Sequence, residues 1–315
     1  MLDLVIVGGS AAGCTAAIYA ARAKLNFKMI SENLGGEMTM AGVVGNWPGI
    51  KEINGFELAQ KLAEHVKSYN VEIEEGWHVE KISQEKNYHI LLAKNAKGEE
   101  KTYETKTVIV ATGIHPRHLK VPGEKEFFHK GVTYCSVCDG PLFKNKTTVT
   151  VGAGNAALES AIMMSKIAKK VYLLTKYPNT KEKNNGFPRG EQILVEKVLD
   201  TPNIEIVNDA ETVEIVGTMK VQGLKYKNSQ GQENTLTVDG VMVHVGSVPN
   251  SDFVTGVETD PAANIIVDAK GRTNIPGIFA AGDVANLPFK QMIIASGQGA
   301  VTALAAVEYI NKWKE

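Results

Sequence analysis

Two cysteines, Cys135 and Cys138, stand either side of two residues in the run Gly131-Val-Thr-Tyr-Cys135-Ser-Val-Cys138-Asp139-Gly140-Pro141. Thiols at that spacing can close a small disulfide ring and reopen it, which makes the pair a two-electron switch. The spacing also lowers one thiol's pKa, and the thiolate is the form that attacks another disulfide. Asp139 follows at once, close enough to give or take the proton this exchange needs. The same spacing serves half of a zinc site, or two inert buried thiols. A four-ligand zinc site needs a second Cys or His pair, and the chain offers only Cys14 and scattered histidines. No metal is expected, and redox chemistry is the leading reading.

A redox pair needs an electron source, and the flanking sequence supplies places for one. Leu4-Val-Ile-Val7 reads as a buried parallel strand. It runs into Gly8-Gly-Ser10-Ala11-Ala12-Gly13 and then a helix-forming stretch from Cys14 to Arg22. Strand, glycine turn and helix are the setting of a dinucleotide fingerprint, in which the helix N-terminus presents amide N–H groups to a pyrophosphate. Ser10 stands where that pattern has its middle glycine. A second strand, Phe27–Ile30, leads to Glu32, 24 positions after Gly8, where a carboxylate can receive ribose hydroxyls or simply face solvent. The pattern recurs 144 positions on from Gly8: Thr148–Val151, Gly152-Ala-Gly154-Asn155-Ala156-Ala157, then a helix to Ser165. Here the residue 24 positions after the first glycine is Lys176, with Lys181 beyond it. A cation suits a ribose 2′-phosphate, so NADPH is favoured over NADH, against the alternative of a solvated basic loop.

The totals limit the classes. At 315 residues the chain has room for two domains. With 34 Lys plus Arg against 35 Asp plus Glu it carries no basic surplus, so neither nucleic acid nor an anionic membrane is expected as a partner. Three cysteines do not make a secreted disulfide scaffold; they suit a reducing compartment, and a cytoplasmic protein is expected. Met1-Leu-Asp-Leu runs straight into a strand, so no targeting segment is expected, and no uninterrupted run of about 18 apolar residues is present.

Between these landmarks, Phe56–Tyr69 has helical spacing of apolar residues, and Val71–Lys106 reads as an antiparallel meander. Thr107-Val-Ile-Val-Ala111-Thr112-Gly113 is a buried strand ending in glycine, and Pro116, Pro122 and Gly123 mark a domain crossing. Ile204–Val245 again reads as short strands. Thr273 to Asp283 contains a strand ending Gly282-Asp283, and Gln298–Trp313 a last amphipathic helix. Asp283 can accept from a polyol hydroxyl, though a lone Asp is more commonly a helix N-cap. Asn46 can reach a ring edge. Cys14 reads as a small buried apolar residue and His244 as a packed strand residue rather than a base.

Taken together, these motifs resemble the low-molecular-weight thioredoxin reductases, from Leu4 to the final helix. The resemblance is carried by Ala-Ala-Gly13 with its helix, Gly35-Gly36, Asn46-Trp-Pro-Gly, Ala111-Thr-Gly113, Cys135-x-x-Cys138-Asp-Gly and Gly152-x-Gly-Asn155. Gly246-x-x-Pro-Asn, Ile275-Pro-Gly-Ile-Phe-Ala-Ala-Gly-Asp283 and Gln291 extend it. It implies an α/β fold of two Rossmann-like, three-layer ββα dinucleotide-binding domains, the second inserted in the first. Residues 1–115 and 246–315 would bind FAD, and residues 116–245 would bind NAD(P)H and carry the dithiol. Gly8, Ser10, Ala11, Ala12, Gly13, Glu32, Gly35, Gly36, Glu37, Asn46, Ala111, Thr112, Gly113, Gly282, Asp283, Gln291 and Met292 would line the FAD. Gly152, Gly154, Asn155, Ala156, Ala157, Lys176 and Lys181 would hold the nicotinamide cofactor. Cys138 would face the flavin, Cys135 would exchange with the disulfide of thioredoxin or a thioredoxin-like protein, and Asp139 would move the proton. A homodimer with a swinging nucleotide domain is implied.

Three departures from the family pattern bear on this. Ser10 replaces a glycine, Glu37 stands where the family usually has Gln, and the family's His-Arg-Arg-x-x-x-Arg is Thr175-Lys-Tyr-Pro-Asn-Thr-Lys181. Lysine lacks the bidentate fork that suits phosphate. NADH therefore remains possible, as does reduced ferredoxin, the donor of some relatives. The peroxiredoxin-reducing relative uses NADH and carries an extra N-terminal thioredoxin-like domain, which is not expected here. A reading from another class is a flavin and dithiol redox sensor without turnover.

Overall fold

The computed structural model describes residues 1–41, 43–178 and 189–314, with the side chains of Val43 and Cys138 excepted. The chain forms two compact units, Met1–His115 with Val248–Glu315, and Pro116–Ser247.

In the first unit β1 (Leu2–Gly9) leads into α1 (Ala11–Arg22) and β2 (Phe27–Leu34). A small hairpin of β3 (Val43–Val44) and β4 (Ile53–Asn54) precedes α2 (Gly55–Lys67). Asn54 caps that helix by accepting from the Phe56 N–H. Leu58, Ala59, Ala63 and Val66 face inward, whereas Phe56, placed on the same apolar stripe by spacing, is exposed. β5 (Glu72–Glu75), β6 (Trp77–Glu85), β7 (Tyr88–Asn95) and β8 (Glu100–Val110) follow. Of the meander expected over Val71–Lys106, β6–β7–β8 is antiparallel, whereas β5 pairs parallel with β2; β8 continues without a break into the buried run ending at Val110. This gives β8 two characters. Its first half alternates and pairs antiparallel with β7, and its second half is buried on both sides and pairs parallel with β1.

The chain then passes through β9 (Ile114–Pro116) into the second unit, where β10 (Val132–Thr133) precedes a short helix, α3 (Ser136–Asp139). β11 (Thr147–Val151), α4 (Asn155–Ser165), β12 (Lys170–Leu174), α5 (Gln192–Leu199) and β13 (Ile204–Val207) build a parallel layer. An antiparallel trio, β14 (Glu211–Gly217), β15 (Val221–Lys227) and β16 (Glu233–Thr237), precedes β17 (Gly240–Val243). The parallel sheet has the order β10-β17-β11-β12-β13, with α4 and α5 packed through Leu158, Ala161, Met164, Val195 and Val198 on Val171 and Leu173. The antiparallel trio covers the sheet's other side through Ile215, Val221 and Leu224.

β18 (Ser247–Pro249) returns to the first unit and pairs with β9. β19 (Ile278–Ala280) then adds to β8, completing a sheet of order β5-β2-β1-β8-β7-β6 with β19 beside β8. α6 (Met292–Ile310) closes the chain. It starts six residues before the expected Gln298, and it is apolar nearly all round rather than amphipathic, so charge alternation gave no marker of its first turns. By length and composition alone it is long and apolar enough to cross a membrane. Its buried face is small: Ser296, Gly299, Thr302, Ala303 and Ala306 let it lie against the Ala-rich α1. A Cβ on Gly299 would come within 2.1 Å of the Ala12 carbonyl oxygen, so the two helix backbones touch.

Candidate functional site

In the first unit three neighbouring parallel strands end at one level, because Val7 pairs with Val110 and Val110 with Ala280. Beyond those ends lie Gly8–Gly13, Ala111–Gly113 and Gly282–Asp283. Ligands of open parallel sheets bind at such carboxyl ends. The Ala111 N–H donates to the Val7 carbonyl and the Ala281 N–H to that of Val110, which fixes the three turns side by side. Gly8 has φ +110°, and a Cβ there would sit 2.3 Å from the Ala111 carbonyl oxygen. A Cβ on Gly13 would meet the Gly8 carbonyl oxygen at 1.8 Å, so only glycine lets α1 start this close to β1.

Ser10 is the N-cap residue of α1, yet its hydroxyl does not cap the helix. It donates instead to the Gly35 carbonyl at 2.6 Å, while the Gly35 N–H donates to Gly9. Ser10 thus pins the Gly35-Gly36 turn against the fingerprint and leaves the first amides of α1, from Ala11 and Ala12, without a side-chain acceptor. That arrangement fits a pyrophosphate. Glu32 lies within β2, which runs on to Leu34, and its exposed carboxylate is 3.1 Å from His78 Nδ1. Asn46 donates to the side chain of Gln291 at 3.0 Å, joining the hairpin to the start of α6 at Met292. Thr112 and Asn250 exchange hydrogen bonds of 2.6 and 2.9 Å. Glu37 sits in the single turn Gly36–Met40 just after the glycine pair.

Asp283 is not a helix N-cap, contrary to the commoner role expected of it. It lies inside the turn Gly282–Val284, whose capping position is Ala281. None of the described residues donates a hydrogen bond to its carboxylate. Burial pushes its pKa up, opposed by the Lys290 ammonium, which itself is held by the carbonyls of Asp283 and Ala285 at 2.7 and 2.6 Å. A half-buried acceptor with no donor among the described residues fits a hydroxyl-bearing ligand. Cys14 is a free buried thiol, pushed up to about 12 by desolvation, with Sγ 3.3 Å from the Gly9 carbonyl. It plays a packing role.

The second unit repeats the geometry. Gly152 has φ +150°, and a Cβ there would lie 2.2 Å from the His244 carbonyl oxygen, at the end of β17. Gly154 leaves the N-terminus of α4, at Asn155, Ala156 and Ala157, without a side-chain cap. The Asn155 side chain exchanges hydrogen bonds with Glu191 at the start of α5. Lys176 follows β12, is exposed, and reaches over the ring of Tyr177. Lys181 lies outside the described residues. Arg189 belongs to none of the sequence motifs. Its guanidinium carbon is 3.5 Å from the Tyr177 ring centre, and its N–H donates to Ala153 inside the glycine turn. It lies 13 positions after Lys176, beyond the reach of a motif counted without gaps.

The dithiol also sits at a strand end, since β10 pairs with β17 and Cys135 follows it by two residues. Cys135 is disulfide-bonded. The side chain of Cys138 lies outside the described ones, although its backbone belongs to α3. Thr133 ties the turn together: its hydroxyl accepts from the Cys135 N–H at 3.1 Å and donates to Asp139 Oδ2 at 2.5 Å. Ser136 is buried, 2.5 Å from the Ser160 hydroxyl and 2.9 Å from His244 Nε2. That contact, too, was not foreseen, because nothing in the sequence brings position 244 to position 136. Among the described residues no group of three or more His, Cys, Asp or Glu could hold a metal ion.

The family profile of pyridine nucleotide-disulphide oxidoreductases matches residues 2–302. The crystal structure of thioredoxin reductase from Streptococcus pyogenes is similar at 36% identity and a TM-score of 0.82, covering 99% of each chain. A ferredoxin-flavin thioredoxin reductase from Clostridium acetobutylicum is 33% identical with a TM-score of 0.53, covering 99% of this chain and 98% of that one. An alkyl hydroperoxide reductase component of Pseudomonas putida is 38% identical over 314 residues, 98% of this chain. The chain spans 58% of that relative's length. The two units are Rossmann-like dinucleotide-binding folds like those of thioredoxin reductases, and the chain belongs to the pyridine nucleotide-disulphide oxidoreductase family.

Proposed function

We propose that this protein is a flavoprotein disulfide reductase that carries electrons from NAD(P)H through FAD to a Cys135–Cys138 disulfide and on to thioredoxin or a thioredoxin-like protein. The observation that carries the reading is the disulfide-bonded Cys135 at the end of a parallel strand, in a unit whose other strand ends form a nucleotide turn. Full-length similarity to a thioredoxin reductase supports the partner class.

The first unit, with residues to about 115 and from about 246, holds FAD. The uncapped amides of Ala11, Ala12 and Gly13 take the pyrophosphate, Glu32 the ribose hydroxyls, and Asp283 a ribityl hydroxyl. Glu37, Asn46, Ala111–Gly113, Gln291 and Met292 line the remainder. The second unit holds the pyridine nucleotide on Gly152–Ala157, with Lys176 and Arg189 as the cations beside its ribose. Bound FAD supplies a two-electron relay between nucleotide and disulfide. The electron pair would enter at Cys138 and open the Cys135–Cys138 bond; Cys135 Sγ would then attack the partner's disulfide to form a mixed disulfide, and Cys138 Sγ would close back onto Cys135 to release the second partner thiol. Asp139 delivers the proton to the departing sulfur, held for this by the Thr133 hydroxyl. A homodimer in a reducing, cytoplasmic compartment completes the reading.

The donor is tested by mixing the purified flavoprotein anaerobically with NADPH, NADH and reduced ferredoxin in turn and following flavin bleaching. Bleaching by a nucleotide supports the reading. Bleaching by ferredoxin alone would replace it with the second reading, a ferredoxin-dependent reductase, which similarity to the Clostridium acetobutylicum protein favours. A sensor without turnover is separated by sustained thiol production with added thioredoxin.

A further inference from the structure

His244 belongs to no part of the relay described so far, yet its position is fixed from three sides. Its N–H donates to the Val151 carbonyl at 2.8 Å, and its own carbonyl backs onto Gly152 so closely that no Cβ fits between them. Its ring Nε2 is 2.9 Å from the Ser136 hydroxyl. Ser136 lies between the two cysteines in sequence and is itself 2.5 Å from Ser160 on α4, with Thr150 of β11 3.4 Å further along. Burial holds the imidazole down at about 4, so the ring is neutral and offers one N–H and one lone pair. The result is a short chain of neutral hydrogen bonds, anchored on the rigid end of the parallel sheet and finishing on the redox turn.

We infer that His244 is a positioning residue for the redox dithiol: through Ser136 and Ser160 it holds the Cys135 turn in the shape of its disulfide form and thereby sets how readily that disulfide is reduced. The inference rests on the reading that Cys135 and Cys138 are the redox pair. Closing the ring removes a proton and an electron from each thiol and forms one S–S bond. The equilibrium depends on how often the open turn already brings its two sulfurs together. A turn pinned at Ser136 has less freedom to lose on closure, so the pinned protein favours the disulfide. Without the pin, the open form gains freedom and buried hydroxyls are left unpaired in the closed form. The pair then becomes easier to reduce.

The test is equilibration of the full FAD-loaded protein with glutathione buffers, where protein disulfide plus two glutathione thiols give protein dithiol plus glutathione disulfide. Acid quenching, alkylation and mass spectrometry of the Cys135 peptide read the ratio. His244→Leu and Ser136→Ala should each shift the equilibrium about tenfold toward the dithiol, about 30 mV for a two-electron couple. The double variant should shift no further than the larger single one, because one network is being cut. His244→Gln, which retains a hydrogen-bonding group, should restore most of the parent value. Flavin absorbance confirms folding, and Ser136→Ala carries the test alone if His244→Leu does not fold. A shift under about twofold, or fully additive shifts, would overturn the inference while leaving the proposed function intact. A parent protein whose cysteines do not titrate as a pair would overturn the function itself.

Discussion

Replacing one glycine in each fingerprint turn separates the roles of the two units. Gly8 and Gly152 have φ of +110° and +150°, and a methyl group on either would press on a backbone carbonyl, of Ala111 at 2.3 Å or of His244 at 2.2 Å. Both contacts are far inside the 3.0 Å that real Cβ atoms respect, and a backbone carbonyl cannot rotate away as a side chain can. Holding alanine in such a conformation costs about 1–3 kcal/mol, and the overlap adds to it by driving the turn from its neighbouring strand. If about 1.4–2.8 kcal/mol of that combined strain is relieved by distorting the ligand cradle, affinity falls about ten- to a hundredfold. Gly8→Ala should therefore purify with little flavin, read as the ratio of absorbance at the flavin and protein bands. Gly152→Ala should keep its flavin and show nucleotide-driven bleaching that saturates only at about ten- to a hundredfold higher nucleotide concentration. A Gly152→Ala protein that loses flavin, or a Gly8→Ala protein that keeps it while nucleotide reduction fails, would refute the assignment of cofactors to units.

Cys138→Ser should retain FAD yet give less than about one hundredth of parental thioredoxin-dependent thiol production, measured with a chromogenic disulfide. Arg189→Ala should raise the KM for NADPH about tenfold and leave that for NADH within about twofold, since only the former carries a 2′-phosphate. Burial depresses the His244 pKa to about 4 from an ordinary 6.5, so the unfolded chain binds the extra proton. Its share of stability, about 3 kcal/mol, is complete above about pH 6.5 and is lost as pH falls toward about 4. Urea midpoints of His244→Gln should lack that slope. Burial raises the Asp283 pKa, so its ionised form disfavours the folded apoprotein at neutral pH. Asp283→Asn should stabilise the apoprotein at pH 7, with the gain vanishing below the ordinary carboxylate range, and should weaken FAD retention.

Local pattern made much of this molecule legible. Both strand–turn–helix units follow from apolar runs closing on Gly8 and Gly152, where a positive φ leaves no substitute. The meander was legible because half-buried strands alternate. What escaped has a common cause: it depends on residues far apart in sequence. His244 meets Ser136 only because β17 lies between β10 and β11. Arg189 reaches Tyr177 across a connection whose length no fixed motif anticipates. Asp283 reads as a cap in isolation and becomes a half-buried acceptor, unpaired among the described residues, through the packing of its turn beside Gln298, which takes the Gly282 N–H. The start of α6 was hidden because Ala, Gly and Ile contact α1 on one side and remain apolar on the other.

The relay is tested most directly by counting electrons. An anaerobic titration of the flavin-loaded protein with its nucleotide donor should consume one two-electron equivalent beyond that needed to bleach the flavin. The same titration of Cys138→Ser should stop when the flavin is bleached. Reduction of the parent protein that ends at the flavin's own equivalent, with the Cys135 disulfide still closed, would contradict the account.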